Sequence, residues 1–323
     1  MKRKILLIIL AVSLLIIIIS PFLGFTDIPI SEVNADGVRN RIFWQLRIPR
    51  VLMAFIAGAV LSVSGMMFQS MFRNDLATPY TLGISSGAAL GAVIALKFFS
   101  FDLFLGLSSV QISSFLGALL TILLIYTAVS GRKRTSTQFL LLTGVAVNFT
   151  CTGLIMFIQY IASNSESAQM IRWMMGSLDV MGFDSVLRLV AALLFVPIAF
   201  FLHRDLDLLG IDSEIAVTRG VSSEVVHKLI FVSVSFAVAL VVSETGPIGF
   251  IGLIAPHIAR SFVGREHRYL IPASILCGGI LLLVSDTFAR TIIAPSEIPA
   301  GVITALTGGP FFLYVLMRKR SSI

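Results

Sequence analysis

The feature that most constrains the fold of this chain is a series of long stretches that contain no Asp, Glu, Lys or Arg. Ten such stretches occupy residues 5–26, 51–72, 76–96, 103–131, 135–165, 189–202, 229–243, 245–259, 269–285 and 298–317. Six of them reach the roughly 20 residues that a helix needs to cross a bilayer, and flanking charged residues can complete the other four by snorkelling. Since uninterrupted apolar runs lack the alternation of barrel strands, we predict an all-α polytopic membrane protein with about ten transmembrane helices.

The charged residues are too few for the surface of a water-soluble domain. They make up 13% of the 323 residues, whereas soluble domains carry about 25%. A disordered chain is also excluded, because disorder needs few apolar residues and many charges. The longer polar segments are 27–50, 164–184, whose centre is typical of a short interfacial helix, and 203–228. We therefore expect one transmembrane domain over 1–323, with 203–228 as a cytoplasmic loop within it.

The positions of Lys and Arg predict which side of the membrane is cytoplasmic. With ten spans both termini lie on one side, and placing that side inside puts 16 of the 24 basic residues there, as the positive-inside rule requires. The start MKRK is typical of a signal peptide, but the run 5–26 is long enough to span, so we expect a retained first helix. This N-in, C-in topology accounts for the net charge of +7 without nucleic acid as a partner.

Small residues and prolines indicate where helices approach each other or break. Gly83, Gly87 and Gly91 recur every four residues, which predicts a helix face that a neighbouring backbone can approach closely. Pro247 and Pro256, with glycines around them, predict broken or shortened helical structure near the eighth span.

Several familiar site chemistries do not fit this sequence. Residues 83–87 satisfy G-x-S-x-G, the pattern of a hydrolase nucleophile elbow, but no strand precedes them. No P-loop pattern is present, so the chain is not expected to hold ATP phosphates itself. Asp286 and Arg290 have the i, i+4 spacing of a local ion pair. Ionisable residues within the spans are otherwise scarce, which disfavours an ion-coupled secondary transporter, the alternative function.

The polar loop 203–228 shows signals for two short helices. Asp212 is a candidate N-cap, Gly220 a candidate C′ residue and Ser222 a second N-cap, so the predicted break lies at Arg219–Gly220. Apolar residues at Ile215, Ala216, Val221 and Val225 leave two interpretations open, namely a docking surface for a soluble partner or a loop that packs on its own helices.

Long motifs over roughly residues 40 to 315 resemble the iron-siderophore and cobalamin family of ABC importer permeases. They are RIPR at 47–50, GAVLSVSGMMFQSM at 58–71, RNDLATPYTLGISSGAALGA at 73–92, LLLTGVAVN at 140–148, WMMGSL at 173–178, GPIGFIGLIAPHIAR at 246–260 and the segment from Glu297 to GGP at 308–310. One departure is Asp75, where the family commonly has proline.

The resemblance implies a permease of the type II ABC importer architecture in the cytoplasmic membrane of a prokaryote. It implies a homologous permease as partner in a homo- or heterodimer, two cytoplasmic ATPase subunits and an extracytoplasmic substrate-binding protein. ATP and Mg would be bound by the ATPase, so the permease itself would bind no cofactor and would not be an enzyme. The implied cargo is a ferric siderophore, with haem and cobalamin left open.

The resemblance also implies roles for particular residues. Glu214, Ala216 and Gly220 have the E-x-A-x-x-x-G spacing of the ATPase-coupling loop, to which Arg219 and Val221 belong. The fifth span would line the pathway, with Thr137 and Gln138 as its cytoplasmic gate. N-capping of that helix by Thr135, Ser136 or Thr137 explains the same residues equally well.

Three arginines are implied to receive acidic side chains of the binding protein on the external surface. They are Arg47 and Arg50 of the RIPR motif, and Arg290 after the ninth span. Interfacial anchoring is the alternative explanation for this basic stretch.

Overall fold

The computed structural model describes residues 1–26, 28–33, 37–99, 107–129, 137–211 and 213–320. The helices in these ranges are α1 (Lys2–Ile19), α2 (Val38–Arg41), α3 (Ile48–Phe72), α4 (Ile84–Phe98), α5 (Ser109–Val129), α6 (Thr137–Tyr160), α7 (Asn164–Met174), α8 (Asp184–Val190), α9 (Val196–Phe201), α10 (His203–Ile211), α11 (Ser213–Thr218), α12 (Ser223–Thr245), α13 (Ile251–Val263), α14 (His267–Thr291) and α15 (Ala300–Arg320). A π-helical turn, Ile42–Arg47, joins α2 to α3, and a 3₁₀ turn, Ala191–Phe195, joins α8 to α9.

The all-helical prediction is confirmed for the described residues. Seven helical segments are long and apolar enough to cross a membrane, and α4, α13 and α15 are shorter apolar helices. Each of the ten predicted stretches overlaps one of these segments, and the exact number of spans stays a prediction. The N-in, C-in orientation stays a prediction. We call the end of the bundle that holds Lys2 and Glu266 the N-terminal end, and the end that holds Arg50 and Asp286 the opposite end.

Helix α3 is the central element of the bundle. In its most apolar part 83% of the residues are buried, against 61% or less for the other long spans. It packs along α14, and their backbones meet where Gly58 faces Gly278, so that a Cβ added to either glycine would collide with the carbonyl oxygen of the other. A Cβ added to Gly65 would likewise collide with the carbonyl oxygen of Gly252 in α13. Glycine at these positions lets three helices pack backbone to backbone.

The predicted small-residue face of α4 is confirmed. A Cβ at Gly87 would lie 2.8 Å from the carbonyl oxygen of Gly117, and one at Gly91 would collide with that of Ser113. Both contacts are with α5. Gly83 instead forms the turn before α4, with a φ of 85°.

The predicted break near the eighth span is also confirmed, but its boundaries differ from the apolar run 245–259. Residues 246–250 are not helical, and α13 begins only at Ile251. Gly246 has a φ of 67°, and the following proline cannot donate a helical hydrogen bond. The break therefore belongs between α12 and α13 rather than within one span.

The short helix expected within 164–184 is α7, at the opposite end of the bundle. Ser163 and Glu166 form a reciprocal capping box at its start. Lys97 donates to Glu166 at 2.8 Å and so ties α7 to the end of α4. This hydrogen bond, with those from Ser163, lowers the pKa of Glu166 to about 2.

Candidate functional site

The candidate coupling residues form a helix end with a defined stop. Gly220 has a φ of 85°, its N–H donates to the carbonyl of Val217, and the N–H of Val221 donates to that of Ala216. This pair of hydrogen bonds is a Schellman motif with Gly220 at C′. Ala216 and Val221, the C3 and C″ residues that usually touch in this motif, are both buried. The spacing between Ala216 and Gly220 therefore has a local structural reason.

The segment 203–228 contains more helix than the sequence signals predicted. The break at Arg219–Gly220 is present, but the helix that follows Ser222 is the beginning of α12, which continues to Thr245. The two-short-helix prediction was wrong at this point, because the charged residues Glu224 and Lys228 do not end the span. They form an i, i+4 ion pair at 3.2 Å, which extends the helix beyond its apolar part. The predicted cap Asp212 lies outside the described residues.

The apolar residues in this segment divide into buried and exposed side chains, and the docking interpretation stays a prediction for the exposed ones. Ala216 and Val221 pack inward, whereas Ile211, Val217 and Val225 are exposed at the surface. Arg219 is also exposed. Glu214 lies in α11, and its side chain is not among those described. An apolar patch with a basic residue beside it thus stands at the N-terminal end of the bundle.

Helix α10 is attached to the bundle by two kinds of contact. Leu206 and Leu209 are buried in the core. Asp207 accepts hydrogen bonds through Oδ1 from the backbone N–H of His267 at 2.9 Å and from its Nδ1 at 2.6 Å. Burial acts to raise the pKa of Asp207, but the hydrogen bonds from His267 outweigh it and hold this pKa below its ordinary value. Sequence reasoning missed this contact, because Asp207 and His267 lie in separate polar segments with no shared motif.

The three candidate docking arginines lie together at the opposite end, where Arg47 and Arg290 are buried and Arg50 is 12% exposed. Arg50 contacts Asp286 through Nε at 3.0 Å and Nη2 at 2.9 Å, and Asp286 is fully buried. Two exposed carboxylates, Asp179 at 3.0 Å and Glu297, also contact Nη1 of Arg50. The predicted pair of Asp286 with Arg290 is present at 3.8 Å.

Arg47 and Arg290 mainly satisfy backbone carbonyls near the end of α1. Arg47, 7% exposed, donates to the carbonyls of Pro21, Phe22 and Thr26. Arg290, 5% exposed, donates to the carbonyl of Ser20 at 2.7 Å. A helix end leaves such carbonyls without partners in the helix. Arg47 and Arg290 are therefore buried, although all three arginines line one cleft of about 540 Å³. Their contact with a binding protein stays a prediction.

The candidate gate residues lie at the start of α6. Thr137 is its first residue, and Gln138 is exposed. Thr135 and Ser136, the alternative N-caps, lie outside the described residues. The gate and the capping interpretation thus both stay open.

A second cavity lies beside the break between α12 and α13. Its volume is about 460 Å³, and among the described residues that line it none is charged. Met174, Met175 and Phe250 contribute apolar surface, while Thr78 and Tyr80 of the loop before α4 contribute hydroxyl groups. Such a lining offers weak, uncharged contacts to a solute.

Arg260 connects two of the long motifs at the N-terminal end. It pairs with Asp75 at 3.1 Å and donates to Oε1 of Gln69. The amide nitrogen of Gln69 in turn donates to the carbonyl of Gly252 at 3.2 Å. Asp75, the departure from the family pattern, thus gives Arg260 a partner. Within the described ranges no group of three or more His, Cys, Asp or Glu is placed to hold a metal ion.

The comparisons with known proteins cover almost the whole chain. The FecCD transport family matches residues 9–318. The chain belongs to this family. It is 38% identical over 294 residues to the hemin transport system permease of Yersinia pestis, covering 90% of this chain and 87% of that one. It is 35% identical over 326 residues to the Fe(3+)-citrate import system permease of Bacillus subtilis, covering 98% and 96% of the two chains.

One solved structure is similar in fold and in sequence. It is described as an inward-facing conformation of a putative metal-chelate type ABC transporter, and it matches with a TM-score of 0.87 and 30% identity over 98% of this chain and 99% of that one. The permease fold predicted from the motifs is therefore confirmed. As a member of the family, the chain is a permease subunit, and in such transporters the ATPase is a separate subunit.

Proposed function

We propose that this permease imports a ferric siderophore across the cytoplasmic membrane of a prokaryote, driven by a partner ATPase. The observation that carries the proposal is the family match over residues 9–318. Relatives named for hemin, for ferric citrate and, at 34% identity, for vitamin B12 support a bulky chelate as cargo. Haem and cobalamin are the alternative cargoes that the experiment below separates.

The proposed ATPase-docking surface is the segment 203–228. Two ATPase subunits would bind two copies of this segment in a homo- or heterodimer of permeases, with ATP and Mg bound by the ATPase. Support comes from the exposed Val217, Arg219 and Val225 around the Schellman turn at Gly220. This assignment requires the N-terminal end to be cytoplasmic, in agreement with its excess of Lys and Arg.

The proposed partner at the opposite end is an extracytoplasmic substrate-binding protein. The buried positions of Arg47 and Arg290 favour a supporting role for both, so that Arg50 carries most of the contact. Arg50 already forms ion pairs with Asp179 and Glu297, and both of these carboxylates are exposed. An acidic side chain of the binding protein would exchange with these carboxylates while Asp286 keeps its position.

The proposed pathway passes the uncharged cavity beside Tyr80 and Met175, with Thr137 and Gln138 at its cytoplasmic end. A bulky chelate moves through such a pathway more easily when no single side chain binds it tightly. This role for the gate residues rests on their place at the start of α6.

The experiment is uptake by proteoliposomes that contain the permease, its ATPase and external binding protein. Labelled ferric siderophore, haem and cobalamin are supplied singly, with ATP inside the vesicles. The proposal expects ATP-dependent accumulation of the ferric siderophore only when all three proteins are present. Accumulation of haem or cobalamin alone would correct the cargo, and uptake driven by an ion gradient without the ATPase would contradict the proposed function.

A further inference from the structure

A chain of hydrogen bonds joins α10, α14 and α3 at the N-terminal end. Asp207 of α10 contacts both the backbone N–H and Nδ1 of His267, the first residue of α14. Nε2 of His267 lies 2.7 Å from Oγ of Ser70 in α3. Ser70 and His267 are buried, whereas Asp207 is partly exposed beside the surface of α10.

The Asp–His–Ser arrangement does not have the surroundings of a hydrolase site. Ser70 lies inside α3, where backbone N–H groups are used by the helix and cannot form an oxyanion hole. Its hydroxyl is also 2.9 Å from the carbonyl of Met66, one turn earlier. The arrangement is therefore suited to holding three helices in position rather than to attacking a substrate.

The contact through Asp207 determines how α10 is placed along the bundle. The buried side chains of Leu206 and Leu209 attach α10 to the core, but hydrophobic contact is non-directional and tolerates sliding. Two hydrogen bonds that one carboxylate accepts from one residue do not tolerate sliding, and hydrogen bonds to a charged group are the stronger kind. Asp207 also takes the place of an N-cap for α14, since Glu266 makes no capping hydrogen bond.

Helices α3 and α14 are held to each other along most of their length. Gly58 and Gly278 pack backbone to backbone in the middle, and Arg50 pairs with the buried Asp286 at the opposite end. A displacement applied to the start of α14 therefore moves both helices together with Arg50.

We propose that Asp207, His267 and Ser70 act as positioning residues that transmit movement of α10 to the α3–α14 pair. We call these three residues the α10 latch. The inference rests on the proposed function, in which an ATPase binds 203–228, and it adds that the ATPase displaces α10. With the latch in place, ATP-driven displacement reaches the opposite end, where Arg50 would meet the binding protein.

The test measures substrate imported per ATP hydrolysed by the complete complex in proteoliposomes. The Asp207→Ala and His267→Ala variants are expected to retain bound ATPase and ATP hydrolysis, while import per ATP falls at least about fivefold, the lower end of typical couplings between sites. Asp207→Asn keeps an acceptor oxygen of the same size, so it is expected to restore most of the import. A purely structural role would lower assembly and leave this ratio unchanged.

The control variant is Lys2→Ala, which removes a neighbouring contact at the same helix end. Lys2 pairs at 2.8 Å with Glu266, the residue before His267, but this pair does not involve α10. Its import per ATP is expected to equal that of the wild type. A loss equal to that of the latch variants would overturn the inference.

The remaining outcomes also decide the question. If the alanine variants of Asp207 and His267 do not assemble, Ser70→Ala is tested instead, because it removes only one buried oxygen. Its import per ATP must then fall. Unchanged ratios in assembled latch variants would refute the latch and leave the proposed function intact. A wild-type complex without ATP-driven import would refute the proposed function itself.

Discussion

Arg50 and Asp286 join α3 to α14 at the end of the bundle opposite the chain's start. The guanidinium contacts both carboxylate oxygens, at 3.0 and 3.1 Å from Nε, and Asp286 is fully buried. Arg290, one turn further along α14, supplies a second positive charge at 3.8 Å. A carboxylate buried between two arginines fixes the position of α14 against α3.

Replacement of Asp286 by Ala is expected to destabilise the permease strongly. The change leaves Arg50 and Arg290 without their buried counter-charge, and breaking a buried pair in this way costs about 3–5 kcal/mol. Equilibrium unfolding of the purified permease in detergent measures the loss. The double variant Arg50→Met with Asp286→Leu leaves only Arg290 without its counter-charge, instead of both arginines, so it should be more stable than Asp286→Ala. Equal stability of the two would contradict the argument.

Substitution of Gly58 by Val is expected to disrupt the crossing of α3 and α14. A Cβ there collides with the backbone of Gly278, which cannot rotate away as a side chain can, so the loss should reach or exceed the roughly 1–3 kcal/mol of ordinary overpacking. The same substitution at Gly153 of α6, where nothing lies within 4 Å of the added Cβ, is the matched control. Thermal unfolding measures both variants. An equal drop in Tm for Gly58→Val and Gly153→Val would show that the close crossing of α3 and α14 does not cause the loss of stability.

Substitution of Gly220 by Val tests the turn after α11. Its φ of 85° is strained for any other residue, at a cost of about 1–2 kcal/mol, and Asn tolerates this region better than Val does. We expect hydrogen exchange in α11 to rise in Gly220→Val and to rise less in Gly220→Asn. Gly210→Ala in α10 is the control, since no atom lies within 4 Å of its Cβ and its φ is not positive. If hydrogen exchange in α11 also rose in Gly210→Ala, the positive φ of Gly220 would not explain the effect.

Arg260 and Asp75 should respond unequally to mutation although they form one ion pair. Asp75→Asn removes only a half-exposed contact, and such pairs contribute less than about 1 kcal/mol. Arg260→Ala also removes the donor to the buried Oε1 of Gln69, and an unsatisfied buried acceptor costs about 1–3 kcal/mol. We therefore expect Arg260→Ala to lower the free energy of unfolding more than Asp75→Asn does, as measured for both variants side by side. A larger decrease in Asp75→Asn would contradict this expectation.

Much of the fold could be predicted because the bilayer imposes a length and a composition on each span. The close approach at Gly87 and Gly91 and the helix stop at Gly220 also follow from local rules, since a missing side chain or a positive φ acts within a few residues. The start of α12 could not be predicted from such rules. Glu224 and Lys228 give its first turns the composition of a loop, but their ion pair stabilises these turns as helix.

The contacts between polar residues that lie far apart in the chain could not be predicted from the sequence. His267 meets partners 60 and 197 positions away, and only the packing of α10, α14 and α3 brings them together. The arginines were expected at an external surface because the family resemblance implied that they contact a binding protein. The carbonyls at the end of α1 need donors, and this local demand draws Arg47 and Arg290 into the protein.

The most direct test of the proposed function is the energy source for uptake. Proteoliposomes with the permease alone, and with the permease, ATPase and binding protein together, are loaded with ATP and supplied with labelled ferric siderophore, in the presence and absence of proton and sodium gradients. We predict accumulation only in the complete system, dependent on ATP and unaffected by collapse of the gradients. Accumulation by the permease alone, driven by either gradient, would contradict this account.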